Sequence, residues 1–218
     1  MSGISYRVVK RIFDITISFS LLIFFSPLFL LVSILIFLTD RQNIFVKEPL
    51  RYGLNGKEFR MFKFRTMIPN AHRELLENSK YEELKIKWEK NGNKLRVNED
   101  PRVTWIGRFL RKSDIDELPQ LVNVMIGQMS LVGPRPTFKT EIESHSKKYP
   151  KDKKYLKHIF GVRAGMTGIW QVSGRNDISL HERLFMEAEY AKNLNFISDL
   201  KILLKTPKIV LTREGAYE

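Results

Sequence analysis

An uncharged apolar run from Ile15 to Leu38 limits the folds open to this chain more than any other feature. As a helix its 24 residues would reach about 36 Å, enough to cross the hydrocarbon core of a bilayer. A signal peptide fits poorly, because the run is too long and the residues at 39–41 are not the small residues of a cleavage site. The alternative is a buried helix of a soluble core, and the absence of charge over this length favours the membrane.

Ser26-Pro27 lies at the midpoint of the run and predicts a break in the helix. Proline has no N–H for the carbonyl of Ile23, so we expect a kink, and the hydroxyl of Ser26, Ser20 or Ser18 could bond freed backbone groups. Both ends of the run carry basic residues, so the positive-inside rule selects no orientation. A helix-break-helix that enters and leaves one face and a kinked single span both remain open. The flanking basic residues are Arg7, Lys10 and Arg11 before the run, and Arg41, Lys47 and Arg51 after it.

The charge of the chain predicts an anionic partner. The formal net charge is +13 and the sequence pI is about 9.9, which suits nucleic acid, anionic lipid or a phosphorylated substrate. The sequence has no cysteine, which excludes disulfides and thiolate metal sites and agrees with a reducing compartment. Its four histidines lack the spacing of a zinc site. A length of 218 residues allows one domain, or one domain with an anchor.

The strongest candidate for chemistry is the acidic pair Asp116 and Glu117, which precedes a predicted short helix. Pro119 is tolerated only in the first turn and marks the helix start, while Gly127 is a natural stop. The acidic pair then lies at or just before the N-terminus, where free N–H groups and the positive end of the helix dipole favour anions. The apolar stripe of this helix is predicted to be Leu118, Leu121, Val122 and Met125.

Cations surround the acidic pair in the sequence. Arg111 and Lys112 precede it, and Arg135 follows on a backbone that Pro134 and Pro136 hold extended. A carboxylate that handles a phosphate would need this combination, because arginine's planar fork matches phosphate oxygens. The plain alternative is that the two acids cap a helix or face solvent. Consecutive helical residues point about 100° apart, so two catalytic acids here would have different roles.

A β-hairpin is predicted between residues 44 and 64. Residues 44–46 and 58–64 have the composition of strands, and Asn55-Gly56 suits a type I′ turn between them. Alternation along the second strand would put Lys63 and Arg65 on one face. This face could be an ordinary half-exposed surface or an edge that meets phosphate.

The rest of the chain predicts helices and tight loops. Residues 70–94 are charged and helical and form a solvated or interfacial insertion. The glycines of 161–168 indicate a loop with close backbone approach, residues 170–172 a short strand, and residues 173–176 a turn.

A capping box at Ser179 and Glu182 opens a helix that continues to about Lys192. The last helix has a basic stripe beside an apolar one, which suits either a membrane surface or packing against the core. Its stripes are Lys201, Lys205 and Lys208, and Leu200, Leu203 and Leu204.

Six motifs together resemble the bacterial sugar transferases known as monotopic phosphoglycosyl transferases, in that family's order and over nearly the whole chain. The resemblance implies an α+β, mainly helical fold, with a re-entrant membrane helix-break-helix at 1–40. A compact cytoplasmic catalytic domain at 41–218 would carry a small β-hairpin or sheet and interfacial amphipathic helices. No large N-terminal membrane domain is apparent, so a minimal catalytic form is expected. The motifs are the Ser26-Pro27 break, FKFRTM (62–67), EDPRVTWIGRFLRKSDIDELPQLVNV (99–124), MSLVGPRP (129–136), RAGMTGIWQVSGRN (163–176) and TREGAY (212–217).

The resemblance also implies an activity. Such enzymes move a sugar 1-phosphate from a UDP-sugar to undecaprenyl phosphate, release UMP and begin the synthesis of a surface polysaccharide or glycan. Asp116 matches the nucleophile, which forms a covalent phospho-sugar aspartate, and Glu117 matches the residue that helps to bind Mg²⁺. The cations that match phosphate-binding positions are Lys63, Arg111, Arg135 and Arg175.

The expected partners are a UDP-sugar, undecaprenyl phosphate and the bilayer, at the cytoplasmic face of the bacterial inner membrane, without nucleic acid. A homodimer is left open. Two other functions also remain: a membrane-bound glycosyltransferase that releases UDP, and a non-enzymatic, membrane-tethered basic binding module. The sugar is not identified, although the insertion at 70–94 resembles the hexose-phosphate branch of the family and hints at galactose or glucose.

Overall fold

The structure is a computed structural model that describes residues 3–41, 43–47, 50–90 and 95–213. These residues form a mainly helical α+β fold with ten helices and seven short strands. The helices are α1 (Gly3–Phe24), α2 (Ser26–Asp40), α3 (Ala71–Glu77), α4 (Glu82–Lys90), α5 (Trp105–Lys112), α6 (Gln120–Met125), α7 (Lys139–Lys148), α8 (Lys153–Ile159), α9 (Leu180–Lys192) and α10 (Phe196–Thr212). The strands are β1 (Phe45–Lys47), β2 (Arg51–Tyr52), β3 (Glu58–Phe59), β4 (Phe62–Phe64), β5 (Met129–Val132), β6 (Thr137–Phe138) and β7 (Ala164–Thr167).

The strands make three small sheets. β1 pairs antiparallel with β4, β2 lies between β3 and β6, and β5 pairs parallel with β7. Asn55 and Gly56 both have positive φ and form the predicted tight turn. The predicted pairing of 44–46 with the later strand is confirmed, since β1 pairs with β4, but the turn joins β3 to an inner strand, β2, that was not predicted. The predicted second strand is split because residues 60 and 61 leave the ladder.

The main core forms where α6 and the parallel pair β5–β7 meet α1. Buried side chains of α6 and β5 make its centre, and α1 packs against them through Phe13, Ile17 and Leu21. The first half of the apolar run is therefore part of the same hydrophobic core as the acidic pair's helix. The second half packs elsewhere, since Val32 and Ile36 of α2 contact α5 and β4. The central residues of the main core include Leu121, Val124, Met129, Leu131 and Val132.

The bend between α1 and α2 lies at the predicted break. The helices Tyr6–Phe24 and Ser26–Thr39 are bent by 59°, and Ser26 Oγ donates a 2.7 Å hydrogen bond to the Ile23 carbonyl that Pro27 leaves without a partner. Both features confirm the prediction. In the described part of the chain no one helix has the length and apolarity to cross a membrane. The two helices of this bent pair, taken together, have that length and composition.

Glycines let β5 and β7 approach closely. A Cβ on Gly165 would lie 2.1 Å from the backbone nitrogen of Gly133, so no larger residue fits there. The predicted close approach in 161–168 is confirmed, but residues 164–167 form a strand rather than a loop. The predicted strand at 170–172 is wrong, because these residues turn back on themselves: Val172 N donates to Gly168 O, and Ser173 N to Trp170 O.

The remaining helix predictions hold with defined limits. The insertion is helical at 71–90, where a 3-10 turn separates α3 from α4, and residues 91–94 lie outside the described residues, as do residues 214–217 of the terminal motif. The turn at 173–176 is present, with positive φ at Gly174 and Arg175. The capping box at Ser179 opens α9, which ends at Lys192. On α10 the predicted lysines are exposed, and so are Leu200 and Leu204 of the predicted apolar stripe, whereas the residues buried against the protein are Ile202 and Ile209.

Candidate active site

The acidic pair lies in a 3-10 turn, Ile115–Glu117, between α5 and α6. Pro119 is the residue that caps α6, so the pair immediately precedes the helix, as predicted. The predicted stripe is partly wrong, since Val122 is 37 % exposed whereas Asn123 is fully buried. A six-residue helix can turn a polar side chain inward when that side chain is fully hydrogen-bonded, and Asn123 is bonded to the neighbouring strand segment.

Asn123 fixes the strand that carries Lys63. Its Oδ1 accepts a 2.9 Å hydrogen bond from Phe62 N, and its Nδ2 donates to Arg60 O at 2.8 Å. These bonds place β4 alongside α6. Lys63 Nζ then lies 2.9 Å from Glu117 Oε1 and 3.6 Å from Asp116 Oδ2, so one ammonium bridges both carboxylates.

The two carboxylates have different environments. Asp116 is only 6 % exposed, and burial raises its pKa to about 6 against the opposing charge of Lys63. Burial also raises the pKa of Glu117, but the charges of Lys63 and Arg135 and the hydrogen bond from Lys63 outweigh it and lower this pKa to about 2. Paired acids whose pKa values are pushed apart typically have distinct roles in a reaction, which agrees with the prediction that their roles differ.

An open cleft of about 670 Å³ adjoins the pair. Lys63, Asp116 and Glu117 line it together with Arg111, whose Nε donates a 2.9 Å hydrogen bond to Thr66 Oγ1. Arg111 is therefore held at the C-terminal end of α5 with its guanidinium on the cleft. This volume lies within the roughly 300–1,000 Å³ that is usual for ligand clefts.

Arg175 reaches this cleft through Asp114, which the sequence had not singled out. Arg175 Nη2 donates to Asp114 Oδ2 at 2.8 Å, and Asp114 lines the cleft. Both residues have positive φ, which is uncommon for residues other than glycine and is concentrated at functional sites. The pair joins the turn after β7 to the turn that carries the acidic pair.

Arg135 is held by a buried cluster on α9. Its backbone N–H donates to Glu187 Oε1 at 2.8 Å, and the same oxygen accepts from Arg183 Nε at 3.2 Å. Arg183 Nη2 also donates to Arg135 O at 3.0 Å, and both guanidinium groups lie about 5 Å from the centre of the Trp170 ring. The charge of Arg135 reaches Glu117, whose pKa it lowers.

Comparison with known proteins decides the family. The model of the family described as "Bacterial sugar transferase" matches residues 5–213. This chain is a bacterial sugar transferase family member. The family that the sequence motifs predicted is confirmed.

Relatives of this sugar transferase family member have similar sequences over its whole length. It is 42 % identical over 216 residues to the undecaprenyl-phosphate galactose phosphotransferase of Salmonella typhimurium, which covers 98 % of this chain and 42 % of that protein. It is 40 % identical over 218 residues to an uncharacterized sugar transferase of Haemophilus influenzae, covering 100 % of this chain and 44 % of the relative. The exopolysaccharide production protein ExoY of Sinorhizobium fredii is 41 % identical over 210 residues, covering 96 % and 88 %. The chain thus spans less than half the length of the first two relatives.

The donor atoms of the sugar transferase cleft fit one kind of metal site. Within the residues that the structure describes, no group of three or more histidine, aspartate or glutamate side chains could hold a metal ion. Mg²⁺ does not need one, because it usually binds one or two carboxylates together with substrate phosphates and water. Glu117, with a side chain 22 % exposed at the cleft, fits the role of that carboxylate.

The structure brings most of the predicted charged residues together, while the residues that support them were not predicted. Lys63, Arg111, Asp116 and Glu117 come together in one cleft, Arg175 joins them through Asp114, and Arg135 approaches Glu117 from the α9 side. Arg183, Glu187 and Trp170 were not predicted. An arginine and a glutamate four residues apart on one helix was the available signal, and that spacing is common on exposed helix faces.

Proposed function

We propose that this chain transfers a sugar 1-phosphate from a UDP-sugar to undecaprenyl phosphate through a covalent phospho-sugar intermediate on Asp116. The relatives named for this chemistry act on undecaprenyl phosphate, with galactose in Salmonella typhimurium and UDP-glucose in Klebsiella pneumoniae. The observation that carries the proposal is the buried Asp116 carboxylate, 3.6 Å from the ammonium of Lys63 and on a cleft lined by Arg111. Its product would begin the assembly of a surface polysaccharide or glycan.

The reaction takes place in two displacements at one phosphorus atom. A carboxylate oxygen of Asp116 attacks the sugar-linked phosphorus, a phosphorus–oxygen bond forms, and the bond to the bridging oxygen of the diphosphate breaks. The bridging oxygen leaves with its electron pair as part of UMP. An oxygen of undecaprenyl phosphate then attacks the same phosphorus and releases the Asp116 carboxylate. Such a route divides one difficult transfer into two steps and predicts ping-pong kinetics.

The cations of the cleft offset the repulsion between the Asp116 carboxylate and the anionic diphosphate of the donor. Lys63 bridges Asp116 and Glu117, and Arg111 faces the same cleft with a planar guanidinium suited to two phosphate oxygens. Arg135 and Arg175 add positive charge at the Glu117 and Asp114 sides. A preorganised set of this kind stabilises the charge that shifts onto the leaving phosphate.

Mg²⁺ is the cofactor that we propose for this site. Glu117 would hold it, with phosphate oxygens and water as further ligands. When bound, the ion supplies additional neutralisation of the phosphate charge. Lys63 keeps one oxygen of Glu117 hydrogen-bonded and so orients the carboxylate toward the cleft.

We also propose that α1 and α2 form a re-entrant hairpin at the cytoplasmic face of the inner membrane, with residues 41–218 as the catalytic part. The bend and the Ser26–Ile23 hydrogen bond support this arrangement, as do apolar side chains that α1 and α2 leave exposed. A site held at this depth would meet the phosphate head group of a polyprenyl chain. The most exposed of these side chains are Ile12, Phe24, Leu30 and Leu38.

The decisive experiment measures the nucleotide that the protein releases. Nanodisc-embedded protein is incubated with Mg²⁺, undecaprenyl phosphate and a panel of UDP-sugars, alongside Asp116→Asn and the matched variant Asp177→Asn, which changes an exposed aspartate outside the cleft. We expect UMP from one donor, none from Asp116→Asn and normal release from Asp177→Asn. Release of UDP would move the chemistry to the glycosidic carbon and refute attack by Asp116. Folded protein that releases neither nucleotide would favour a binding module.

A further inference from the structure

One side of the cleft is lined by residues that have no role in the proposed transfer of the sugar phosphate. After β4 the chain continues along the cleft through residues 66–73, a segment in which apolar side chains, a histidine and an arginine replace the carboxylates. Arg73 is ion-paired at 2.7 Å with Glu77 on its own helix. The residues of this lining that matter here are Met67, Ile68, Pro69, Ala71 and His72.

This lining is rigidly attached to the protein. Ile68 N donates to Arg102 O at 2.9 Å, and Arg102 Nη1 donates to Ala71 O at 2.8 Å. The buried Arg102 guanidinium makes two further bonds to the Asp100 carboxylate, at 2.8 and 2.7 Å. Bidentate pairs of this kind are geometrically specific, so the segment is held in place on the cleft.

The helical insertion places an aromatic pair at the end of this lining. His72 on α3 is exposed and lines the cleft, and the Trp88 ring on α4 packs against it edge to face, with centroids 5.9 Å apart. Trp88 is half-buried and limits the directions that the histidine ring can take. An exposed, supported aromatic ring on a ligand cleft is a stacking surface for a planar group, because base–aromatic stacking uses a ring face in this way.

The geometry of phosphoryl transfer indicates which planar group this is. In an in-line displacement the leaving oxygen departs on the side of the phosphorus opposite the attacking oxygen. UMP therefore extends away from Asp116, and its nucleoside must lie on a part of the cleft other than the carboxylate cluster. The lining at 66–73 is such a part.

We infer that His72, supported by Trp88, is the stacking platform for the uracil of the donor nucleotide. The inference rests on the proposed function, because it takes UDP-sugar as donor and UMP as product. It assigns nucleoside recognition to the insertion and phosphate recognition to Lys63 and the arginines. Aromatic rings also stack on sugars, so the experiment separates the two ligand parts.

The test measures binding of UMP itself, which contains the nucleoside but no sugar. Isothermal titration calorimetry on the full chain in nanodiscs compares His72→Ala, Trp88→Ala and His72→Phe with wild-type protein. The matched control is His158→Ala, which removes an exposed histidine outside the cleft. KM and kcat for several UDP-sugars, and KM for undecaprenyl phosphate, are measured on the same proteins.

We expect His72→Ala to weaken UMP binding and raise KM for every UDP-sugar about tenfold, with an unchanged KM for the lipid phosphate. Trp88→Ala should have a smaller effect in the same direction, and His72→Phe and His158→Ala should bind UMP as wild type does. Unchanged UMP affinity in His72→Ala, or wild-type protein that does not bind UMP, would overturn the inference. A change only in the ranking of UDP-sugars would also overturn it and assign the ring to the sugar.

The same data separate this inference from the proposed function. Transfer that requires Asp116, together with a His72→Ala variant that binds UMP normally, would refute the platform and leave the function standing. UMP binding that requires His72, in a protein that releases no UMP from any donor, would support the platform and refute the transfer.

Discussion

At the scale of single residues, the arrangement of the two carboxylates depends on Lys63. It is the cation shared by Asp116 and Glu117, and Asn123 fixes the strand that presents it. Two adjacent carboxylates repel each other, and burial disfavours the charged form of each. A single ammonium close to both carboxylates opposes these effects, and it leaves Asp116 with the higher pKa of the two.

The raised pKa of Asp116 predicts that this residue destabilises the metal-free protein. Its pKa rises from 3.8 to about 6, so above pH 6 the folded protein bears the cost of an ionised buried carboxylate, about 2–3 kcal/mol. Asp116→Asn removes the ionisation and should raise the melting temperature at pH 7.5. The sign follows from linkage, because Asp116 ionises at a lower pH in the unfolded chain than in the folded protein. The stability that Asp116→Asn adds is therefore complete above pH 6 and vanishes below about pH 4.

The measurement is thermal unfolding in detergent with a chelator present, at a series of pH values. Asp177→Asn is the control, since that side chain is exposed and its replacement should change the melting temperature little at any pH. A melting temperature for Asp116→Asn equal to that of wild type across the series would show that ionising the buried Asp116 carboxylate does not destabilise the folded protein.

Glu187 is expected to act on catalysis through Arg135. Glu187 is fully buried and accepts the backbone N–H of Arg135, so Glu187→Ala should displace that arginine and lower kcat/KM at least tenfold. A double-mutant cycle with Arg135→Ala checks this, because Glu187→Ala should then have little further effect on kcat/KM. Independent, multiplicative losses would indicate that Glu187 does not act through Arg135. Glu141→Gln, 3.7 Å from Arg183 at the cluster's edge, is the milder control.

At the scale of elements, the sequence predicted what local chemistry determines and failed where pairing is long-range. The Asn55-Gly56 turn, the Ser26-Pro27 break and the Ser179 capping box were all predicted, because each depends on residues within a few positions of one another. The pairing of β1 with β4 was predicted, whereas β2 was missed, because two residues are too few to show a strand pattern and its partner β6 lies much later in the chain.

The same division holds for the site. The cations and carboxylates proposed for it were named from motifs, whereas the cluster of Arg183, Glu187 and Trp170 depends on α9 packing against a segment about fifty residues earlier in the chain. Asn123 is a further example. It occupies a position that looks polar and exposed on a helix, and only contact with β4 explains its burial.

The bend at Pro27 is expected to decide whether both ends of the apolar run stay on one side of the membrane. Pro27→Ala restores the N–H that Ile23 O lacks and should favour a straight helix long enough to span. Single cysteines at Arg7 and Arg41 report the sidedness, and the chain has no native cysteine to interfere. Both should be labelled from the cytoplasm in the parent, and only one in the Pro27→Ala variant. Labelling from opposite sides in the parent would establish a span.

At the scale of the whole molecule, buried polar groups on α1 join the α1–α2 hairpin to the rest of the chain. Asp199 on α10 accepts hydrogen bonds from Tyr6 at 2.7 Å and from Tyr190, and pairs with Lys10 at 2.9 Å. Asp14 accepts from Ser130 Oγ at 2.7 Å and from a backbone N–H of β5. The interior of the protein thus includes residues on both sides of the boundary proposed at residue 40.

This network predicts that the two parts fold as one unit. Asp199→Ala removes the acceptor of the Tyr6 and Tyr190 hydroxyls and the nearer of the two carboxylates that pair with the half-buried Lys10, so the free energy of unfolding should fall by about 3 kcal/mol. Because the lost contacts join α1 to α9 and α10, the whole protein, and not only the hairpin, should melt earlier. Tyr6→Phe removes one hydrogen bond and should cost about 1 kcal/mol. Fluorescence of the three tryptophans, which all lie within 41–218, reports the unfolding of that part. Protease cleavage in detergent reports the release of α1. A variant that releases α1 while residues 41–218 keep their wild-type melting temperature would show that the catalytic part folds without the hairpin.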